Sequence, residues 1–135
     1  MRRKEPVSKP FAIAVLFLVA VFYLLGIIFL LAPGPAASIY GFPTAADPAH
    51  FYLRAIGLRD LALASYMLAL LHSGERKALA IVLGITPIIP VGDLILLAAK
   101  GGAGTVHYAL HGIALLCFAA LAGWAHLLRP GEGPR

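Results

Sequence analysis

Residues 11–32 read FAIAVLFLVAVFYLLGIIFLLA, an apolar run of 22 residues without a single charged side chain. A helix of about 20 apolar residues is long enough to cross the hydrocarbon core of a bilayer. Three further apolar stretches of similar length follow in the chain, at Phe51–Leu71, Ala78–Ala99 and Val106–Leu128. The sequence therefore predicts an all-α protein, a membrane-embedded antiparallel bundle of four transmembrane helices.

The composition points to the same class of protein. Of the 135 residues, 61% are hydrophobic and 13% are charged, whereas about a quarter of the residues in a soluble domain are charged. So apolar a chain cannot cover its surface with polar groups, which makes the lipid bilayer its expected partner. The net charge of +5 includes no basic patch interleaved with aromatic residues on a polar surface, so we expect no nucleic-acid partner.

The basic residues also predict an orientation in the membrane. Both tails and the connection between the second and third helices carry most of them: Arg2, Arg3, Lys4, Lys9, Arg76, Lys77, Arg129 and Arg135. The connections on the other side carry Lys100 alone. The positive-inside rule then places both termini in the cytoplasm of a multi-pass cell-membrane protein. The expected organisation is a cytoplasmic tail at residues 1–10, one transmembrane domain at 11–128 and a second cytoplasmic tail at 129–135.

The first apolar run could instead be a signal peptide, since Arg2, Arg3 and Lys4 precede it. It is longer than the core of about 7–15 residues of a signal peptide, and no clear cleavage site follows it. We therefore expect it to be retained as the first helix. The single cysteine, Cys117, excludes an internal disulfide and is expected to be a small packing residue.

Six ionisable residues fall within the predicted spans, and we call them the charged layer: Arg54, Arg59, Asp60, Asp93, His107 and His111. Arg59 and Asp60 lie roughly 12–14 Å along their helix from Phe51, at about 1.5 Å per residue. The same arithmetic places all six in the outer half of the bundle. Ionisable groups at membrane depth are costly and mark functional sites by default. The alternative is an ion network that only locks the helices together.

The charges suggest specific pairs within this layer. Because an unpaired charge in hydrocarbon is costly, we expect Asp93 to be ionised and paired with Arg59 or Arg54. The third helix contains Pro87, Pro90 and Gly92, which should break it at the same level. The segment after Pro90 would then present a helix N-terminus to a negative group such as Asp93. An ordinary proline kink packed by neighbouring helices is the other interpretation.

His107 and His111 are four residues apart, on one face of the fourth helix. Histidine titrates near neutral pH, so either ring is a candidate proton carrier, with Asp60 or Asp93 as its base or orienting group. Both histidines could instead form only hydrogen bonds within the bundle. A metal site is not expected, because H-x-x-x-H lacks the glutamate of zinc proteases, and we expect no cofactor. The residues expected to bind a ligand are Arg54, Arg59, Tyr23, Tyr66 and Tyr108.

Several of these residues also carry a family resemblance. The segment R-x-x-G-x-R-D, formed by Arg54, Gly57, Arg59 and Asp60, stands with Ile39-Tyr40-Gly41-Phe42-Pro43, Gly92-Asp93 and His107. Together they resemble a family of small four-helix membrane proteins from bacteria and fungi, described as a domain of unknown function and broadly similar to the DoxX-like group. The resemblance covers about residues 11–128. It implies four helices and supplies no activity.

These observations favour a polar pocket that binds a small, partly apolar or amphipathic molecule, with possible isomerase-like or hydratase-like acid–base chemistry. A small proton-coupled transporter is the second hypothesis, since intramembrane Asp and His residues also build proton relays. The first helix, however, has no charged residue, which counts against this second hypothesis. A structural or accessory membrane subunit is the third hypothesis, and a homo-oligomer is possible in each case.

Overall fold

A computed structural model describes residues 8–44 and 47–127 of the chain. Its described part contains six helices: α1 (Lys9–Leu31), α2 (Pro33–Tyr40), α3 (Asp47–Ser73), α4 (Arg76–Ile85), α5 (Ile88–Lys100) and α6 (Thr105–Leu127). Four spans are long and apolar enough to cross a membrane: α1, α3, α4 together with α5, and α6. The predicted four-helix membrane bundle is confirmed. The predicted tail at 129–135 and residues 1–7 of the other tail lie outside the described residues.

α1 and α3 cross in close contact at two glycines. A Cβ atom added to Gly57 would lie 2.7 Å from the carbonyl oxygen of Gly26, and one added to Gly26 would lie 2.8 Å from the carbonyl oxygen of Gly57. Real Cβ atoms do not approach backbone so closely, so only glycine permits this contact. Close backbone contact of this kind strengthens packing between membrane helices. Gly57 of the R-x-x-G-x-R-D segment therefore has a packing role.

α2 is a short helix that the sequence did not predict, within the connection that follows the first span. Pro33 begins the helix, and Gly41, with φ of 97°, ends it in the left-handed region. The amide N–H of Phe42 donates to the carbonyl of Ala37 at 2.9 Å, and that of Gly41 donates to the carbonyl of Ser38 at 3.3 Å. These two bonds form a Schellman motif, which a residue with a side chain at Gly41 would strain.

The two helices of the third span meet at a kink. Thr86 and Pro87 join α4 to α5, and both keep right-handed helical backbone angles. The buried Thr86 hydroxyl donates to the carbonyl of Val82 at 2.7 Å. Of the two interpretations, the ordinary proline kink agrees with these angles, and it lies at Pro87, while Pro90 and Gly92 lie within α5. The predicted helix N-terminus beside Asp93 is wrong, because α5 begins at Ile88 and Asp93 lies beyond its first turn.

The bundle has two different ends. We call the end that carries α2 the α2 end, and the end that carries Lys9, Ser73 and Leu127 the far end. The far end contains the main apolar core, in which α1, α3, α4 and α6 meet: Phe11, Val15, Leu18, Val19, Ala64, Met67, Leu79, Ala80, Leu83, Phe118, Leu121, Ala122 and Ala125. At the α2 end, α3 packs on α1 and α2, α5 packs on α6, and α3 makes few or no contacts with α5. α3 and α5 therefore do not pack directly on each other.

Candidate functional site

The centre of the polar site is a hydrogen-bonded triad of side chains from three helices. The hydroxyl of Tyr40, at the end of α2, donates to Oδ1 of Asp93 on α5. The other carboxylate oxygen of Asp93, Oδ2, lies 3.2 Å from Nδ1 of His111 on α6. The side chains of His111 and Asp93 are only 11% and 13% exposed. The triad thus joins α2, α5 and α6 through polar side chains, and those of His111 and Asp93 are largely buried.

The position of one proton in the triad follows from its hydrogen bonds. Nε2 of His111 lies 3.2 Å from the backbone carbonyl oxygen of Tyr40, and a carbonyl oxygen only accepts, so Nε2 carries a hydrogen. The contact between Nδ1 and Asp93 then requires exactly one further hydrogen. Either a neutral carboxyl donates to Nδ1, or an imidazolium donates to the carboxylate. The pair therefore shares a single mobile proton.

Tyr40 remains a donor over a wide range of pH. Burial raises the pKa of Tyr40 well above its ordinary value, and the hydrogen bond to Asp93 and the charges of Asp93 and Asp60 raise it further. Its ring also packs edge-on against His111, with the centroids 4.9 Å apart. The sequence analysis did not include Tyr40 among the site residues. The signal that could have found it is its position in the Ile39–Pro43 motif.

His107 and His111 each bind a backbone carbonyl in the last turn of α2. Nε2 of His107 donates to the carbonyl oxygen of Ser38 at 3.0 Å, and Nε2 of His111 donates to the carbonyl oxygen of Tyr40 at 3.2 Å. The last carbonyls of a helix have no partner within the helix, and histidine side chains can satisfy them. The four-residue spacing on α6 thus matches the end of α2. Since both Nε2 atoms bind backbone, neither can face a ligand in this arrangement, and Nδ1 of His107 is buried without a hydrogen-bond partner among the described residues.

Asp60 is the second acidic residue of the layer and has a different environment. It is half-buried on α3, and its charge acts on Tyr40 and is acted on by that of Asp93. Within residues 8–44 and 47–127 it forms no hydrogen bond or ion pair. Asp93 has both oxygens engaged, so Asp60 is the carboxylate of this site that is open to a ligand.

The predicted pair between Asp93 and Arg59 or Arg54 is wrong. The ion-pair partner of Asp93 in the described part of the chain is His111, and both arginines are exposed. The reason is the rotation of α3, which the glycine crossing determines. Gly57 faces α1, and at 100° per residue Arg59 lies about 160° around the helix from it. Arg59 is therefore turned away from α1, and Arg54 is exposed and forms no ion pair with Asp93.

The predicted tyrosines are not brought together either. The hydroxyl of Tyr23 lies 2.9 Å from Oγ of Ser65, which itself donates to the carbonyl of Leu61 at 2.8 Å, so Tyr23 is the donor in this pair. Tyr23 thus ties α1 to α3. Tyr66 is 62% exposed, and Tyr108 is half-buried; neither forms a hydrogen bond with another described residue.

An apolar groove of about 480 Å³ lies between α1 and α6 at the far end, away from the charged layer. It is lined by Pro10, Ile13, Ala14, Phe17, Leu18, Cys117, Ala120, Leu121 and Trp124. Cys117 is exposed on its wall, so the expected packed position of this residue is wrong. Among the described residues, no three His, Cys, Asp or Glu side chains are grouped so that they could hold a metal ion.

The fold and the site define a small helical protein with four membrane-length spans and a polar cluster at one end. A family model described as "Domain of unknown function (DUF4267)" matches residues 19–125. The chain belongs to this family, which confirms the resemblance drawn from the sequence; the similarity to the DoxX-like group stays a prediction. Comparison with curated proteins and with solved structures gives no match.

Proposed function

We propose that the protein binds a small, partly apolar molecule beside α3 at the α2 end, with Asp60 as the group that holds it. The protein would lie in the cell membrane with both termini in the cytoplasm, as the distribution of basic residues indicates. The observation that carries the proposal is the half-buried carboxylate of Asp60, which has no hydrogen-bond or ion-pair partner among the described residues.

An ionisable side chain at membrane depth is costly unless another group satisfies it. The neighbouring polar residues do not do so, because Tyr40, Asp93 and His111 bind each other. A ligand with a hydrogen-bond donor or a cationic group would satisfy Asp60. The rest of the ligand should be apolar, since the membrane-length spans of the bundle are apolar.

The site also has the groups for acid–base chemistry on such a ligand. Asp60 can accept a proton from a bound molecule or return one to it. Asp93 and His111 hold one mobile proton, and Tyr40 orients the carboxylate by its hydrogen bond. Isomerisation or hydration of a bound molecule would need this kind of proton transfer. His107 and His111 would act through Asp93 and the position of α2 and would not touch the ligand.

Transport is less well supported by the same structure. A proton or polar substrate that crosses the protein needs polar groups at both ends of its path. The described polar cluster is confined to the α2 end, while the far end is filled by apolar side chains. Binding, with or without catalysis, therefore agrees better with the arrangement than proton-coupled export does.

The test compares Asp60→Asn with Asp47→Asn, a matched change of an exposed carboxylate on the same helix. Each purified variant is screened by thermal unfolding in detergent against a panel of small apolar amines and alcohols. We expect compounds that raise the Tm of the wild type and of Asp47→Asn but not that of Asp60→Asn. We also expect Asp60→Asn without ligand to be at least as stable as the wild type, because it removes an unsatisfied charge.

Two results would contradict the proposal. One is a set of compounds that stabilises Asp60→Asn as strongly as the wild type. The other is an Asp60→Asn variant that unfolds several degrees earlier without ligand, which would assign the carboxylate a structural role and favour the accessory-subunit hypothesis.

A further inference from the structure

The exposed arginines of α3 form a surface that the polar site does not use. Arg54 and Arg59 are exposed and form no ion pair with any described residue. At 100° per residue, the two arginines lie about 140° apart around the helix, with Ala55 and Leu58 between them. We call Arg54, Ala55, Leu58 and Arg59 the arginine strip. Two cationic groups thus flank a small apolar surface on a helix that is otherwise suited to lipid.

The depth of the strip follows from its contacts. α1 ends at Leu31, five residues after Gly26, and α3 runs in the opposite direction from the crossing at Gly57. The level at which α1 ends therefore corresponds to about residues 52–53 of α3. Exposed aromatic residues are enriched at the membrane interface, and Phe51 and Tyr52 are 73% and 72% exposed there. Arg54 thus lies at headgroup level, and Arg59 lies about 7.5 Å deeper along the helix.

Arg59 can reach the same level as Arg54. Side chains on a helix lean towards its N-terminus, and the N-terminus of α3 is at the α2 end. A long arginine side chain extends to the interface while its stem stays in the apolar region. Both guanidinium groups can therefore meet at headgroup depth, on either side of Ala55 and Leu58.

We propose that the arginine strip binds an anionic phospholipid, with the headgroup phosphate between Arg54 and Arg59 and an acyl chain over Ala55 and Leu58. Charge complementarity carries the choice of occupant, since the guanidinium fork binds phosphate oxygens at two points. Asp47 is exposed two turns nearer the N-terminus, about 10.5 Å along the helix from Arg54, and forms no ion pair with it. A lipid with a net negative charge reduces the positive charge of the strip, whereas a zwitterionic lipid brings its own cation.

The experiment measures lipid binding to the full chain in detergent by native mass spectrometry. Phosphatidylglycerol and phosphatidylcholine with identical acyl chains are the probes. We expect the wild type to prefer phosphatidylglycerol, and Arg54→Gln and Arg59→Gln each to lower that preference by about fivefold. The Arg54→Lys/Arg59→Lys variant should keep part of the preference, because it keeps charge but loses the guanidinium fork.

Lys9→Gln is the matched control, because it removes one exposed cation at the far end. It should leave the preference unchanged within about twofold, as a residue outside the strip contributes little to it. An Arg54→Gln/Arg59→Gln variant that keeps the preference would overturn the proposal, and so would an equal loss in Lys9→Gln. Displacement of the lipid by millimolar inorganic phosphate would also overturn it, since the strip would then bind free phosphate.

Discussion

The two ends of the bundle are stabilised by different interactions. The far end has interlocking apolar side chains, such as Phe118 against Phe22 with ring centroids 5.4 Å apart. The α2 end has fewer buried side chains and is joined by directed hydrogen bonds between α2, α5 and α6. Apolar packing tolerates many side chains of similar volume, whereas each hydrogen bond requires a particular group. The α2 end therefore depends on particular side chains more than the far end does.

The largest effect on stability should come from a substitution at the glycine crossing of α1 and α3. Gly57→Leu would place a side chain within 3 Å of the backbone of α1, and we expect a loss of more than about 3 kcal/mol in the free energy of unfolding. Gly92→Ala is the control, because no atom lies within 4 Å of its added Cβ. Unfolding in detergent by circular dichroism measures both. A folded Gly57→Leu protein of wild-type stability would refute the crossing.

A truncation in the far-end core should rank next. Phe118 is 1% exposed, and Phe118→Ala should cost about 3–5 kcal/mol through lost packing and the cavity that remains. The loss should not depend on pH, since no ionisable group lies in this core. Leu116, on the same helix but 69% exposed, provides the control Leu116→Ala. Equal losses for the two variants would show that the far end is not packed as described.

Removal of the triad carboxylate should have a smaller effect that depends on the substitution. Asp93→Ala leaves the Tyr40 hydroxyl and the His111 ring without their partner, at a cost of about 1–3 kcal/mol. Asp93→Asn keeps an oxygen for Tyr40 and an amide N–H for Nδ1 of His111, so it should lose less than half as much. Unfolding midpoints at neutral pH measure the difference. Equal losses would indicate that Asp93 does not bind both partners.

The smallest effect should appear only at alkaline pH. Since the pKa of Tyr40 is raised in the folded protein, the folded state holds this proton more tightly than the unfolded chain does. Its contribution is fully present below the unfolded pKa of about 10 and is lost progressively as the pH rises above it. Wild type should therefore lose more stability than Tyr40→Phe between pH 9 and pH 11. Tyr52→Phe, at an exposed tyrosine, should behave as the wild type does. An equal loss of stability with rising pH in all three proteins would contradict the raised pKa of Tyr40.

The sequence predicted the spans well and the partners of the charged residues poorly. Hydropathy and length define the four spans, and Pro87 marks the kink, because both signals are local. The partner of Asp93 depends on how far each helix is rotated, which for α3 follows from the approach of Gly26 to Gly57 and not from any charge. α2 was missed because eight residues that include Pro33, Gly34 and Pro35 carry little helical signal. Packing of Ala36 and Ala37 on Phe29 and Leu53 stabilises it instead.

Tyr40 binds the other two triad residues through both its backbone and its side chain, so the contacts form a closed ring. The ring runs from the Tyr40 carbonyl to His111, on to Asp93, and back to the Tyr40 hydroxyl. Groups in a hydrogen-bonded ring polarise one another, so the loss of any bond weakens those that remain. The effects of substitutions in such a ring on stability are not additive. The first substitution removes most of the stabilising effect of the ring, and the second and third remove little more. The end of α2 should therefore detach as a single step rather than bond by bond.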